Sequence, residues 1–432
     1  MNKLQELIKN KKAKIAVIGL GYVGLPLAVG FAEKGFSVLG LDFDKNKVKK
    51  VNQGQSYIKD ISSSDLEKVI KKRKLSATTD KKILTKVNVI IICVPTPLDK
   101  HNQPDISALQ DTAKTISKFI KKNQLIILES TTYPGTTREV LLPLLQKSGL
   151  KVGQDFFLAF SPERIDPGNK KYTVKNIPKV IGGITPQGSK LTSLLYRSFI
   201  SKTVIVSSPE TAEMTKLLEN IFRVVNISMI DEIALLCGEM DIDIWEVIKA
   251  AKTKPYGFMP FYPGPGIGGH CIKVDPFYLS WKAREYGFYT RFIELAGQIN
   301  EQMPHYVVTK TIFALNKDKK AINGSKILIW GVSYKKDIED TRESAAYPII
   351  TNLLKKGAKI EYFDPFVKEF KVNNKTFKSI KYTPEVLKDY DCVLILAAHS
   401  NFDYNEIAQK SITVVDTRNA IKSRKYKKVF HL

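Results

Sequence analysis

Residues 14–28 read KIAVIGLGYVGLPLA. A short apolar run ends at Gly19, Gly21 and Gly24 follow in G-x-G-x-x-G spacing, and an apolar helical pattern opens behind them. Alone, the glycine spacing is a weak signal, because glycines serve any tight turn from strand to helix. Its position between a strand and a helix gives it weight. The first glycine permits the turn, the second lets the backbone approach a pyrophosphate, and the third lets helix and strand pack closely. Phosphates suit the helix N-terminus, where free N–H groups and the helix dipole favour anions. Gly19, Gly21, Tyr22, Val23 and Gly24 are therefore the expected cradle of a dinucleotide. Asp42 ends the second apolar run, where a carboxylate meets the adenosine ribose hydroxyls and repels a 2′-phosphate. NAD is expected over NADP, with Lys47 near the same end.

Outward from this stretch the pattern repeats. Apolar runs at 14–19, 37–42, 87–95, 125–130 and 156–162 alternate with helical periodicity, as in LPLAVGFAEKG and ISALQDTAKTISKFIKK. Near-continuous apolar runs suit strands buried on both faces of a parallel sheet. Strand–helix alternation argues for a doubly wound α/β domain over residues 1–207. The character changes at Ser208, a candidate N-cap with Pro209 at the first helical position and no further glycine until Gly238. A long helix opens a central helical section, 208–310. A second alternation begins at KILIWGVSYK (326–335) and continues through DCVLILAAH and ITVVDTRN. The expected architecture is α/β: two Rossmann-like doubly wound parallel-sheet domains joined by a central helical section, the second occupying 311–432.

The chain has 432 residues and a formal net charge of +25. Its lysines are spread along its whole length without a nucleic-acid-binding module, so a solvated lysine-rich surface is expected and no nucleic-acid partner. A basic protein that binds nucleic acid through a vestigial Rossmann fold is the remote alternative. No run of about 18 apolar residues predicts a membrane span. No signal-peptide pattern precedes the first strand, and a cytoplasmic, reducing location is expected. The four cysteines, Cys93, Cys237, Cys271 and Cys392, make neither a disulfide framework nor a metal-ligand spacing, so no metal is expected.

Polar residues stand at the strand ends, where ligands of open α/β sheets bind: Thr96 after the third run, Thr131 and Thr132 after the fourth, Glu163 and Arg164 after the fifth. On the long helix Lys216, Asn220 and Arg223 fall at i, i+4 and i+7 and share a face. Met214, Leu217, Leu218, Ile221 and Val225 supply the apolar side. A solvated polar face is one reading; a lysine that stabilises an oxyanion is the other. Residues 264–276, GPGIGGHCIKVDP, crowd four glycines into six positions directly before His270 and Cys271. Judged alone, Cys271 reads as a small packed residue.

Together, GLGYVGLPLA, SPERIDPGN, AEMTKLLENIFRVVNI, GPGIGGHCIKVDP and YKKDIEDTRES resemble the nucleotide-sugar 6-dehydrogenase family, which includes the UDP-glucose, GDP-mannose and UDP-N-acetylhexosamine dehydrogenases. The resemblance covers nearly the whole chain, with the motifs in order. It implies four-electron oxidation of a sugar C6 alcohol to a carboxylate with two NAD per sugar. It reverses the reading of Cys271, which matches the family's nucleophile; a thiol is well suited to trap an aldehyde covalently. Lys216 and Asn220 match residues that stabilise oxyanions and position a water, and Asp275 matches a carboxylate that assists proton transfer or water activation. Glu163 and Thr131 match positions near the same chemistry. Gly268, Lys335 and Arg418 match substrate contacts, Arg418 at a phosphate, and Arg342 matches a cofactor contact. His270 precedes Cys271 in sequence, which does not place the two side chains together.

GGHC and SPERIDPGN depart from the GGSC and NPEFLAEG usual in UDP-glucose enzymes and resemble the UDP-N-acetylhexosamine branch. VDPFYLSWKAREYGF is closer to the N-acetylglucosamine and N-acetylgalactosamine enzymes than to the N-acetylmannosamine ones. UDP-N-acetylglucosamine is the expected substrate, with UDP-glucose, UDP-N-acetylgalactosamine and UDP-N-acetylmannosamine as alternatives. Arg164 and Arg223 are candidate contacts of the acetamido or carboxylate group. The resemblance also implies a homodimer or higher homo-oligomer through the helical section, and a place in polysaccharide biosynthesis.

Overall fold

The computed structural model describes residues 3–58, 61–99, 101–164, 172 and 174–432, and gives the backbone but not the side chains of 270–273. The chain divides into two compact units, Met1–Glu219 with Phe277–Gly287, and Asn220–Pro276 with Phe288–Leu432.

The first unit is built on eight strands: β1 (Lys14–Ile18), β2 (Ser37–Leu41), β3 (Leu75–Thr78), β4 (Val89–Ile92), β5 (Gln124–Leu128), β6 (Phe156–Phe160), β7 (Lys179–Gly183) and β8 (Thr203–Ile205). Their order is β3-β2-β1-β4-β5-β6-β7-β8. The first six make the doubly wound dinucleotide-binding arrangement, with its switch point between β1 and β4. Strand residues alternate between two dry faces. Ile15 and Val17 join Leu27, Phe31 and Leu195 on one side, while Ala16 and Ile18 join Ile90, Ile126, Leu109 and Ile116 on the other. Helices cover both faces, which is why the sequence shows continuous apolar runs rather than alternation.

Three strands lie outside the sequence expectation. β3 reads LSAT, an edge strand with only Leu75 and Ala77 buried. β7 reads KVIGG, and its lysine and glycines hide a strand that is buried throughout. β8 has three residues and two exposed positions. The expectation of a parallel sheet is corrected at one pair: β7 runs antiparallel to β6, with Ala159 opposite Gly183. The observed strands are also shorter than the apolar runs, so Asp42 lies just past the end of β2.

The Pro209–Glu239 helix runs unbroken for 31 residues. Ser208 Oγ accepts from Thr211 N, the N-cap expected from the sequence. Three further helices, Ile244–Ala251, His270–Arg284 and Arg291–Lys317, make this part of the chain helical.

The second unit carries β9 (Lys326–Trp330), β10 (Lys359–Phe363), a β11 (Glu369–Val372) and β12 (Lys375–Lys378) hairpin, β13 (Cys392–Ile395), β14 (Val414–Asp416) and β15 (Val429–His431). The five-stranded sheet has the order β10-β9-β13-β14-β15 and every pair is parallel. It is a second doubly wound sheet, with its own switch point between β9 and β13. Ile327 and Ile329 face the Arg291–Lys317 and Ala346–Lys355 helices, and Leu328 and Trp330 face the opposite core. No helix among the described residues is long and apolar enough to cross a membrane.

Candidate active and cofactor sites

The glycine turn after β1 has the geometry a dinucleotide requires. Gly19 has φ +88°, and a Cβ there would lie 2.4 Å from Cys93 O at the end of β4. A Cβ on Gly24, the first residue of the following helix, would lie 1.8 Å from Gly19 O. A Cβ on Gly21 would meet nothing within 4 Å. The outer glycines are thus filled by the protein's own backbone, while the middle one borders open space, as a backbone that a pyrophosphate approaches should. Tyr22 beside it is exposed and Val23 half-buried. Asp42 Oδ2 accepts from Leu20 N at 2.8 Å and Oδ1 accepts from Asp44 N at 2.9 Å. The acid ties the glycine turn to the end of β2. Lys47 stands in the first turn of the next helix, where Asp44 caps it.

The loops after β4 and β5 are joined. Thr96 is buried and donates to Thr131 O at 2.7 Å; Tyr278 donates to Thr96 O at 2.9 Å. Thr131 Oγ1 receives a hydrogen bond from Lys216 Nζ. Lys216 is buried, so it is not part of a solvated face, while Leu218 and Met214, expected on the apolar side, are exposed. The reason lies one turn earlier. Glu213 is buried and takes Gly135 N at 2.7 Å, Thr137 N at 2.9 Å and Thr137 Oγ1 at 2.6 Å. Burial pushes this carboxyl up to about 7, against the three donors. It pins the loop after β5 to the long helix and directs Lys216 inward. Glu163 Oε1 accepts from Arg164 N and Oε2 from Lys179 Nζ at 3.3 Å. Arg164 turns to Glu219 and to Pro178 O. Residues 165–169 of the SPERIDPGN stretch lie outside the described residues.

In the second unit Asn220 Nδ2 donates to Asp275 Oδ2 at 2.5 Å, and Asp275 is buried. Cys271 stands one helical turn before Asp275 in the His270–Arg284 helix; its side chain and that of His270 lie outside the described residues. Each glycine of the preceding loop has a task. Gly266 and Gly269 hold positive φ, and Gly269 N donates to Arg342 O. A Cβ on Gly268 would lie 2.6 Å from Tyr334 Cβ, and one on Gly264 2.6 Å from the Arg418 guanidinium. The loop therefore lies against residues following β9 and β14. Gly264 N donates to Asp231 on the long helix at 3.0 Å; burial raises that carboxyl to about 7 and lowers Arg418 to about 10. Lys335 is half-buried beyond β9, Arg342 pairs with Asp340, and Arg223 is exposed.

Glu213, Asp231, Glu129 and Lys179 were not singled out in the sequence. Asp231, Glu129 and Lys179 are charged side chains at or inside apolar runs, which was the available signal, whereas Glu213 sits in the polar stretch PETAEMTK and carries none. Among the described residues no group of three or more His, Cys, Asp or Glu could hold a metal ion.

Comparison with known proteins covers most of the chain. Residues 13–200, 210–302 and 328–423 match in turn the NAD binding domain, the central domain and the UDP binding domain of the UDP-glucose/GDP-mannose dehydrogenase family. The chain is 39% identical over 394 residues to the UDP-N-acetyl-D-glucosamine 6-dehydrogenase of Pseudomonas aeruginosa, covering 91% of this chain and 92% of that one. It is 35% identical to the enzyme of the same name from Salmonella typhi, over 90% and 91% of the two chains. Among solved structures it resembles the UDP-N-acetylmannosamine dehydrogenase of Pyrococcus horikoshii, with a TM-score of 0.88, 32% identity and coverage of 97% and 98%.

Proposed function

We propose the reaction below from one premise: the chain belongs to the UDP-glucose/GDP-mannose dehydrogenase family, and is an NAD-dependent UDP-sugar dehydrogenase. Its substrate is UDP-N-acetylglucosamine, oxidised at C6 to the uronic acid, a building block for polysaccharide. The observation that carries this choice is the 39% identity to the Pseudomonas aeruginosa enzyme over nearly both chains. The likeness to the Pyrococcus horikoshii enzyme favours UDP-N-acetylmannosamine as the second reading.

The turn at Gly19, Gly21, Tyr22, Val23 and Gly24, with Asp42, Lys47, Thr96 and Arg342, holds NAD, which when bound accepts hydride. In the first oxidation C6 loses a hydride and its hydroxyl a proton, giving an aldehyde. Lys216, buried and donating to Thr131, is the cation placed to stabilise a developing alkoxide. The Cys271 thiolate then forms a C–S bond to the aldehyde carbon as the C=O π bond opens to an alkoxide, giving a thiohemiacetal anion. Loss of a second hydride from its carbon re-forms the C=O bond and leaves a thioester. Water, positioned by Asn220 and activated by Asp275, adds to the carbonyl, and the C–S bond breaks to release the acid and the thiolate. The Asn220–Asp275 hydrogen bond supports pairing them in that step. Glu163 assists proton transfer. Gly268, Lys335, Arg418, Arg164 and Arg223 contact the sugar nucleotide. The three functional segments are 1–207 for NAD, 208–310 for the catalytic helix and cysteine loop, and 311–432 for the UDP-sugar.

The test counts NADH released per sugar consumed across UDP-N-acetyl-glucosamine, -galactosamine and -mannosamine and UDP-glucose. Two NADH per sugar are expected, with the highest kcat/KM on UDP-N-acetylglucosamine; one NADH per sugar overturns the four-electron scheme. Cys271→Ser should lower acid formation roughly 100-fold or more while NAD binding persists.

A further inference from the structure

Two members of a buried ionic group in the first unit, Lys179 and Glu129, have no place in the scheme above. Lys179, the first residue of β7, sends its ammonium between two carboxylates, 2.5 Å from Glu129 and 3.3 Å from Glu163. Glu129 stands just past β5 and Glu163 just past β6. Lys179 and Glu129 are 5% and 0% exposed at their side chains, and Glu163 is 10% exposed. Glu129 is closed on its other side by the hydroxyl of Tyr196, from the Pro186–Tyr196 helix, and Cys93 from the end of β4 is a further titratable neighbour among the described residues. The group is deep, and only Glu163 lies toward solvent. Burial raises Glu129 to about 7, against the pull of Lys179.

A buried ion triple of this kind is poor value as a stabiliser, since desolvation offsets most of the Coulomb gain. It does serve the carboxylate at its open end. Glu163 is gripped at one oxygen by Arg164 N and at the other by the ammonium, which leaves it one orientation. We propose that Lys179 is a positioning residue for the dehydrogenase: it aims the Glu163 carboxylate and supplies its counter-charge, and Glu129 divides that charge from behind. This rests on the reading that Glu163 takes part in proton transfer.

The two partners act on Glu163 with opposite sign, and the test uses this. Lys179→Met removes the cation. The acid limb of the kcat–pH profile should move up by about one pH unit, with kcat at neutral pH down about 10-fold. Glu129→Gln leaves the ammonium to Glu163 alone, and the acid limb should move down. Lys179→Arg should restore part of the lost kcat. KM for the UDP-sugar and NAD binding should stay within about two-fold in all three, since neither group lies in the glycine turn. A purely structural cluster predicts lower melting temperatures with an unmoved limb, or both limbs moved the same way, and either outcome overturns the proposal. If Lys179→Met does not fold, Glu129→Gln carries the test. Glu163→Gln separates the two readings. Should it keep full kcat, the role of Glu163 falls; should it lose kcat while the limb ignores Lys179 and Glu129, only this proposal falls.

Discussion

At the scale of single residues, three identical glycines do different things. Gly24 and Gly19 are excluded from carrying a side chain by backbone atoms that cannot move, whereas Gly21 has open space where a Cβ would stand. The substitutions should separate accordingly. Gly24→Ala should cost about 3 kcal/mol of stability through overpacking, read as a lower denaturant midpoint. Gly21→Ala should leave that midpoint nearly unchanged and weaken NAD binding roughly 10-fold by crowding the pyrophosphate, read by fluorescence titration. A Gly21→Ala variant that binds NAD normally would remove the cofactor from that turn. The spacing of the motif and the separate roles of its three glycines were legible in the sequence, but the atoms that crowd the outer two were not. The atoms that crowd Gly19 belong to Cys93, just past the end of β4 and far along the chain, and those that crowd Gly24 belong to Gly19 itself.

At the scale of elements, the long helix is placed by a residue with no motif of its own. Glu213 spends both oxygens on the loop after β5, and Lys216 one turn on reaches Thr131 from the same side. Glu213→Gln turns an amide N–H₂ toward a backbone donor and should cost about 1–3 kcal/mol. The pH dependence follows from the raised carboxyl. Because its folded value, about 7, lies above the ordinary one, its contribution to stability is complete below the ordinary carboxyl range. That contribution is lost as pH rises through 7. The stability gap between the parent chain and Glu213→Gln should therefore be wider at pH 5 than at pH 8, measured by denaturant unfolding. A gap independent of pH would mean that Glu213 does not titrate in this range. Helical periodicity put Lys216, Asn220 and Arg223 on one face, but it could not tell that Lys216 is buried while Arg223 is exposed. Periodicity gives relative direction, and the packed neighbours decide which direction is inside.

At the scale of the whole molecule, the long helix leaves an apolar stripe uncovered. Phe222, Met229, Ile233 and Leu236 recur at intervals of three, four and seven residues and are exposed. A second copy of the chain is the proposed cover, in line with the homodimer implied by the family resemblance. Leu236→Glu should shift the mass measured by light scattering toward that of one chain, and a parent chain that is already monomeric at micromolar concentration would refute the pairing. The sequence by itself determined the two doubly wound sheets, the long helix and its cap, the glycine turn after β1, and the family. These depend on local spacing and on apolar periods, which are carried by neighbours in the chain. Only the tertiary structure decided the antiparallel β6–β7 pair, the packing of Gly264 and Gly268 against Arg418 and Tyr334, and the Glu129–Lys179–Glu163 group. Each of these brings together residues far apart in sequence, and in each the charge or the missing side chain is tolerated only because a distant partner satisfies it. A strand that begins with lysine reads as an interruption until its two carboxylates are in place.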